Sequence, residues 1–249
     1  FDYHSPQSLE EAVFLLERSD GEAQVISGGQ SLVAAMNLRL ARPSALVDLR
    51  RIAGLDRIEL RQSVLCIGAR ATHAQIIENP VVRADLPVLR EAGMHIAHAT
   101  IREWGTMAGS LALADPAAEW PTVLTALGGT VVAQGPAGQR RIPVSEFFVS
   151  LYTTALARNE IITEIHVPLP AASTRLGFYE FARQSGAFAL GVAAAAVDID
   201  GGGVVRKLVV ALGGGRRIVP LGNAVGRAHL LAVVAAVDAI AQGDAVLFG

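Results

Sequence analysis

The segment from Ala23 to Leu49 constrains the fold more than any other stretch. It runs AQVI, then Ser27-Gly28-Gly29-Gln30-Ser31, then an amphipathic LVAAMNLRLAR stopped by Pro43, then ALVDL. The first and last pieces are short apolar runs bounded by turn residues, which predicts strands. Leu32, Ala35, Met36 and Leu40 recur at helical spacing, so Gln30 to Arg42 is expected to be a helix. Pro43 ends it, because the residue before proline is pushed out of the α region. A glycine pair between a strand and a helix suits a backbone whose bare N–H groups face a ligand, often a phosphate.

The flanking sequence extends this pattern. Ser8 followed by Glu11 predicts a capped helix over SLEEAVFLLER, with Asp20-Gly21 as its stop. Residues 1–52 therefore read as one α/β unit. A second unit is expected over 53–170. It has a strand at SVLCIGA, a short helix capped by Thr72 with Gln75 and ending at Pro80, and helix over 81–98. TMAGSLALADP (106–116) reads as a second small-residue loop. Asp115 is expected to cap a helix that starts at Pro116 and runs to Gly128-Gly129. TVVAQG, QRRIPV and NEIITEIHVP follow as strands around a helical turn near Ser145. From about Ser173, three glycine-separated strand runs predict an antiparallel meander. AVGRAHLLAVVAAVDAIAQ is expected to close the chain as a helix within a C-terminal α+β domain over 171–249.

Composition excludes several classes. The net charge is −2 over 249 residues, and the Arg-Arg pairs at 50–51, 140–141 and 216–217 are scattered. A nucleic-acid partner normally needs a concentrated basic face. No apolar run reaches the roughly 18–20 residues of a membrane span. No secretory leader is evident, so a cytoplasmic location is expected. Cys66 is the single cysteine. One thiol forms no internal disulfide and holds no iron–sulfur cluster, which takes about four cysteine ligands. His95 and His98 stand at i,i+3 spacing without a third ligand, so no metal site is assigned. Neither Ser31 nor Ser110 sits in G-x-S-x-G, and donor roles toward phosphate suit both better than nucleophilic ones.

The Gly28-Gly29 segment lacks the G-x-G-x-x-G pattern, and no P-loop Lys-Ser/Thr follows it. With a second small-residue segment at Thr106–Ser110, a dinucleotide lying between two lobes is the reading that uses both.

SGGQSLVAAMNLRLARPSALVDL closely resembles the first flavin motif of the FAD-binding medium subunits of molybdenum hydroxylases, the carbon monoxide dehydrogenase flavoprotein family. IREWGTMAGSLALADPAAEWPTVLTALGGTV resembles their second motif, and IGARATH and NEIITEIHVP fall at matching places. The resemblance implies a vanillyl-alcohol-oxidase (PCMH)-type FAD-binding fold of class α+β. Two α/β subdomains would be followed by a C-terminal α+β domain with an antiparallel sheet. Carried over by position, Ser27, Gly28, Gly29, Gln30, Ser31 and Leu32 would wrap the FAD pyrophosphate. So would Thr106, Met107, Ala108, Gly109 and Ser110. Glu119 matches a carboxylate that contacts cofactor hydroxyls, with Asp115 assisting. His73 and Ile162 match positions near the flavin. One of Tyr179, Phe181, Phe188 or Arg183 would border its ring, although core packing is the simpler role for the aromatic residues.

This sequence departs from the family at Ala108, where glycine is usual, at Leu113 in place of histidine, and at Glu103 in place of asparagine. The segment after residue 213 matches poorly. Because alanine disfavours positive φ, Ala108 predicts a different local backbone.

The implied function is electron transfer. Substrate would be hydroxylated in a molybdopterin large subunit, and electrons would pass through [2Fe-2S] clusters of a small subunit to this FAD and on to an external acceptor. The assembly implied is a dimer of heterotrimers, with no catalytic acid or base supplied by this chain. A self-sufficient flavin oxidase or dehydrogenase of the same fold, or a flavin-free scaffold, are the alternatives.

Overall fold

A computed structural model describes residues 1–214 and 219–220. The expected closing helix over 224–242 lies outside the described residues.

The first sheet is entirely parallel, in the order β1 (Asp2–His4), β3 (Ala45–Asp48), β2 (Ala23–Ile26). Parallel neighbours need a crossover, and α1 (Leu9–Arg18) supplies the one between β1 and β2. Ser8 Oγ accepts the Glu11 N–H at 3.1 Å, and the Glu11 carboxylate accepts the Gln7 N–H at 2.9 Å. The α1 face made by Ala12, Val13 and Leu16 is buried with Val47, Leu49, Ile52 and Leu55.

The helix after the glycine pair is much shorter than expected. α2 covers only Leu32–Asn37, and none of its residues is buried. Arg39 adopts φ +59°, and the N–H groups of Leu40 and Ala41 both turn back to the Ala35 carbonyl. The apolar spacing continues to Leu40, but Leu40 is 80% exposed. With no packed face behind it, a helix this short has little to extend it.

The second sheet has the order β4 (Ile58–Arg61), β5 (Val64–Gly68), β10 (Ile161–Pro168), β6 (Thr130–Gly135), β7 (Gly138–Pro143), every pair antiparallel. Between β5 and β6 lie α3 (His73–Glu78), α4 (Pro80–Asp85), α5 (Pro87–His95), α6 (Ala99–Trp104), α7 (Met107–Leu113) and α8 (Glu119–Leu127). The α3 cap is the expected capping box of Thr72 with Gln75. The single helix expected over 81–98 is divided, because Pro87 cannot continue α4 and instead opens α5. Leu65, Ile67, Ile165 and Val167 on one face of the sheet pack with Ile76, Leu89, Leu111, Trp120 and Leu124 in the main core. After β7, α9 (Val144–Phe147) leads into the short ribbon of β8 (Phe148–Ser150) and β9 (Thr153–Thr154).

The third sheet is an antiparallel meander, β11 (Thr174–Phe181), β12 (Gly191–Ile199), β13 (Val205–Gly213) and β14 (Val219–Pro220). β12 begins at Gly191 and runs through the alanine-rich stretch to Ile199. Ala194 and Ala211 place this sheet against the main core. The mixture of helices and antiparallel sheets fits the expected α+β class. Among the described residues no helix is long and apolar enough to cross a membrane.

Candidate functional site: two glycine segments meeting between lobes

The loop after β2 meets the second lobe directly. A β-carbon on Gly28 would stand 2.1 Å from the Trp104 carbonyl oxygen and 2.9 Å from Gly105 Cα. Only glycine lets these two backbones approach so closely. Gly29 adds a φ of +72°, which turns the chain toward α2. Ser27 Oγ donates to the Ala69 carbonyl at 3.3 Å, tying the same loop to the end of β5. Gln30 Nε2 donates to the Gly28 carbonyl at 3.1 Å.

Among the described residues, the N–H groups of Gly28, Gly29, Gln30, Ser31 and Leu32 find no acceptor within the chain. The first N–H of this segment to be used is that of Val33, which bonds the Gly29 carbonyl at 3.0 Å. A run of free donors around a positive-φ glycine forms a concave anion cradle. The donor set therefore fits a pyrophosphate.

The second segment is built differently. The stretch expected as a loop over 106–116 is largely helix, α7. Thr106 is its N-cap, with Oγ1 accepting the Gly109 N–H at 3.1 Å. Methionine, alanine and leucine are good helix formers, and one glycine costs only about 1 kcal/mol in a helix interior. Met107 and Ala108 are buried in the main core. Ala108 is helical, so the positive-φ penalty anticipated for alanine does not arise there. Ser110 is half-buried on the same helix.

Asp115 does not cap a helix at Pro116. Its Oδ1 accepts the Ala117 N–H at 2.9 Å, closing a turn, and α8 starts at Glu119. The reason lies at the end of α7, where Ala114 takes a left-handed conformation with φ +54° and redirects the chain before the proline. Tyr152 donates its hydroxyl to Asp115 Oδ2 at 3.3 Å.

His73 ties the parts together. Its N–H donates to the Gly105 carbonyl at 2.9 Å, next to Gly28 and one residue before Thr106. Its Nδ1 accepts the indole N–H of Trp120 at 2.9 Å. An indole N–H only donates, so Nδ1 is the acceptor and a neutral His73 carries its proton on Nε2. Burial, with a smaller contribution from Arg102, lowers the His73 pKa to about 4, so the ring is neutral at pH 7. A β-carbon on Gly105 would lie 2.7 Å from His73 Nε2, which leaves that position to glycine as well.

Glu119 is 8% exposed, and burial pushes its pKa up to about 8, with Glu180 and Asp115 adding repulsion. It is a neutral acid at pH 7, able to donate as well as accept a hydrogen bond. Ile162 lies on β10 in the main core, beside Thr163, whose carbonyl accepts the Ala69 N–H at 3.0 Å. It is a residue of the main core, linked to the Ser27 contact only through its neighbour Thr163 and Ala69.

Sequence reading missed Trp104, Gly105, Trp120 and Glu180. Each matters through a partner distant in sequence, and no local spacing signals such a contact.

Comparison with known proteins agrees with this geometry. Residues 1–170 match the family described as FAD binding domain in molybdopterin dehydrogenase. The chain is 42% identical over 216 residues to the 6-hydroxypseudooxynicotine dehydrogenase complex subunit alpha of Paenarthrobacter nicotinovorans, covering 86% of this chain and 73% of that protein. It is 45% identical over 188 residues to the nicotine 6-hydroxylase medium subunit of the same organism, covering 76% and 65%. Among solved structures, carbon monoxide dehydrogenase from Hydrogenophaga pseudoflava superposes with a TM-score of 0.89 at 34% identity, covering 95% of this chain and 85% of that one. Quinoline 2-oxidoreductase from Pseudomonas putida 86 gives 0.85 at 34% identity, covering 97% and 85%.

The chain belongs to this family, with the PCMH-type FAD-binding fold. It is an FAD-dependent oxidoreductase subunit of the molybdenum hydroxylase medium-subunit type.

Proposed function

We propose that this chain is the electron-transfer subunit of a multi-subunit molybdenum hydroxylase, working beside an iron–sulfur small subunit and a molybdopterin large subunit in a dimer of heterotrimers. The observation that carries the reading is the meeting of Gly28 with Trp104-Gly105, which sets a run of free N–H donors against the second lobe. The chemistry supplied by bound FAD is electron exchange between a partner's iron–sulfur clusters and an external acceptor.

The chain's own residues bind and orient. Gly28 to Leu32 direct N–H groups to phosphate oxygens, and Ser27 holds the loop to Ala69. Thr106 to Ser110 fix the second wall, with Met107 and Ala108 anchored in the core. Glu119, holding its proton, donates to and accepts from cofactor hydroxyls, while Asp115 keeps the preceding turn closed. His73 offers Nε2–H as a fixed neutral donor, and Ile162 supplies part of the apolar floor. Tyr179, Phe181 and Phe188 are all exposed, and one of them or Arg183 borders the flavin ring.

The test is made on the purified assembly. Reduction of the iron–sulfur clusters by substrate should survive removal of this chain, while electron transfer to the acceptor should fall to background. Undiminished transfer without this chain would overturn the proposal.

A further inference from the structure

The five-stranded sheet has a second, outward face that the flavin reading leaves unused. Across three strands the register pairs Glu59 with Cys66 and Cys66 with His166. Residues paired in this way project from the same face of a sheet. Glu164, two residues before His166, lies on that face too. The Cys66 sulfur, a Glu164 carboxylate oxygen and a His166 ring nitrogen lie within 4.8 Å of one another. Among the described residues no other group of three His, Cys, Asp or Glu side chains comes together in this way.

We infer that Cys66, Glu164 and His166 form a binding site for a divalent transition-metal ion of the zinc class. Thiolate, imidazole and carboxylate are the ligand types that zinc takes, and three protein ligands leave a fourth position for water. The His166 and Glu164 side chains are 14% and 26% exposed and give an ion its approach from solvent, while Cys66 is buried. The thiol makes only a long 3.8 Å contact to the Val64 carbonyl and has no strong partner to give up.

Arg61 grips the same Glu164 carboxylate with both terminal nitrogens. Its Nη2 donates to Glu164 Oε1 at 2.8 Å, and its Nη1 reaches Oε2 at 3.1 Å. Oε2 is the oxygen that faces His166 Nε2, at 2.7 Å. Carboxylates that bind metals are commonly held by such outer partners. Glu59 also pairs with Arg61, at 3.3 Å. Arg57, at 3.9 Å from Glu59, and Arg141, paired through Val132 with Glu164 across the sheet, are the other cations of this face among the described residues.

Binding needs small movements on rigid strands. Nε2 and Oε2 separate to roughly 3.3 Å, the spacing of tetrahedral zinc ligands. The Cys66 S–H bond is replaced by a sulfur–metal bond, and the proton leaves to solvent. Any proton on His166 Nε2 moves to Nδ1.

The test is a titration of the chelator-treated, tag-free full chain with cobalt(II) under reducing conditions. The expected result is one ion per chain, a thiolate-to-cobalt charge-transfer band, displacement by zinc and release of a proton. Cys66→Ser should remove the band, and His166→Ala, which keeps the thiol, should weaken binding about tenfold or more. Bound flavin should be the same in wild type and both variants, which separates this site from the cofactor cradle. A folded wild-type chain without the band, or a band that persists unchanged in Cys66→Ser or His166→Ala, would overturn the inference.

Discussion

The two glycine-bearing segments look alike in sequence and differ in construction. The first, Ser27 to Leu32, is a surface loop with unused N–H donors, shaped by the close approach of Gly28 to Trp104 and the positive φ of Gly29. The second, Thr106 to Ser110, is the first part of a capped helix whose Met107 and Ala108 are sunk in the core. In one, glycine removes a β-carbon from a backbone contact. In the other, it is a tolerated small residue. The same small-residue signal therefore marks an open loop in one lobe and a packed helix in the other.

The largest effect that would break this comparison is expected from Gly28→Ala. The new β-carbon overlaps the Trp104 carbonyl, and backbone atoms on both sides must shift. A loss of about 3 kcal/mol in stability is expected, in the range of overpacked sites, with flavin affinity reduced more than a hundredfold. Urea denaturation and flavin titration measure the two.

Glu119→Gln should come next. The unfolded carboxyl ionises near 4.5, while the folded one keeps its proton up to about 8. The unfolded state thus releases its proton first, and wild-type stability falls as pH rises between these values, then levels off. The total is on the order of a few kcal/mol. The variant should lose that decline, which denaturation at a series of pH values reads directly.

Trp120→Phe should cost about 1–3 kcal/mol, because it strips His73 Nδ1 of its donor inside the core. Nitrogen-15 NMR of His73 should report Nε2–H in wild type and a change of tautomer balance in the variant. The smallest effect is expected at Gly109→Ala. Among the described residues outside its own helix backbone, a β-carbon there would meet only Thr106 Oγ1, at 3.0 Å. Helix propensity favours alanine by up to about 1 kcal/mol, which offsets the crowding. Equal damage from Gly109→Ala and Gly28→Ala would contradict the difference drawn between the segments.

What was legible in the sequence was local. The Ser8 and Thr72 caps, the strands flanking Gly28-Gly29 and the antiparallel meander all follow from nearby residues. What was not legible depends on distant ones. α2 stops at Asn37 because nothing covers it, and α7 forms because Met107 and Leu111 have a core to enter. The Asp115 turn follows from the left-handed Ala114, and alanine gives no sequence warning of that conformation. At the candidate site, the glycine pair is legible as a turn suited to phosphate, but the Trp104 carbonyl that requires Gly28 is not. The His73–Trp120 bond joins residues 47 positions apart, beyond any spacing rule.

The most direct measurement is the flavin content of the purified chain, by visible spectrum and identification of the heat-released cofactor, beside the Gly28→Ala variant. About one FAD per wild-type chain is predicted, with the variant depleted while its far-ultraviolet circular dichroism remains native. A folded wild-type chain that carries no flavin and takes up none when FAD is added would contradict the account.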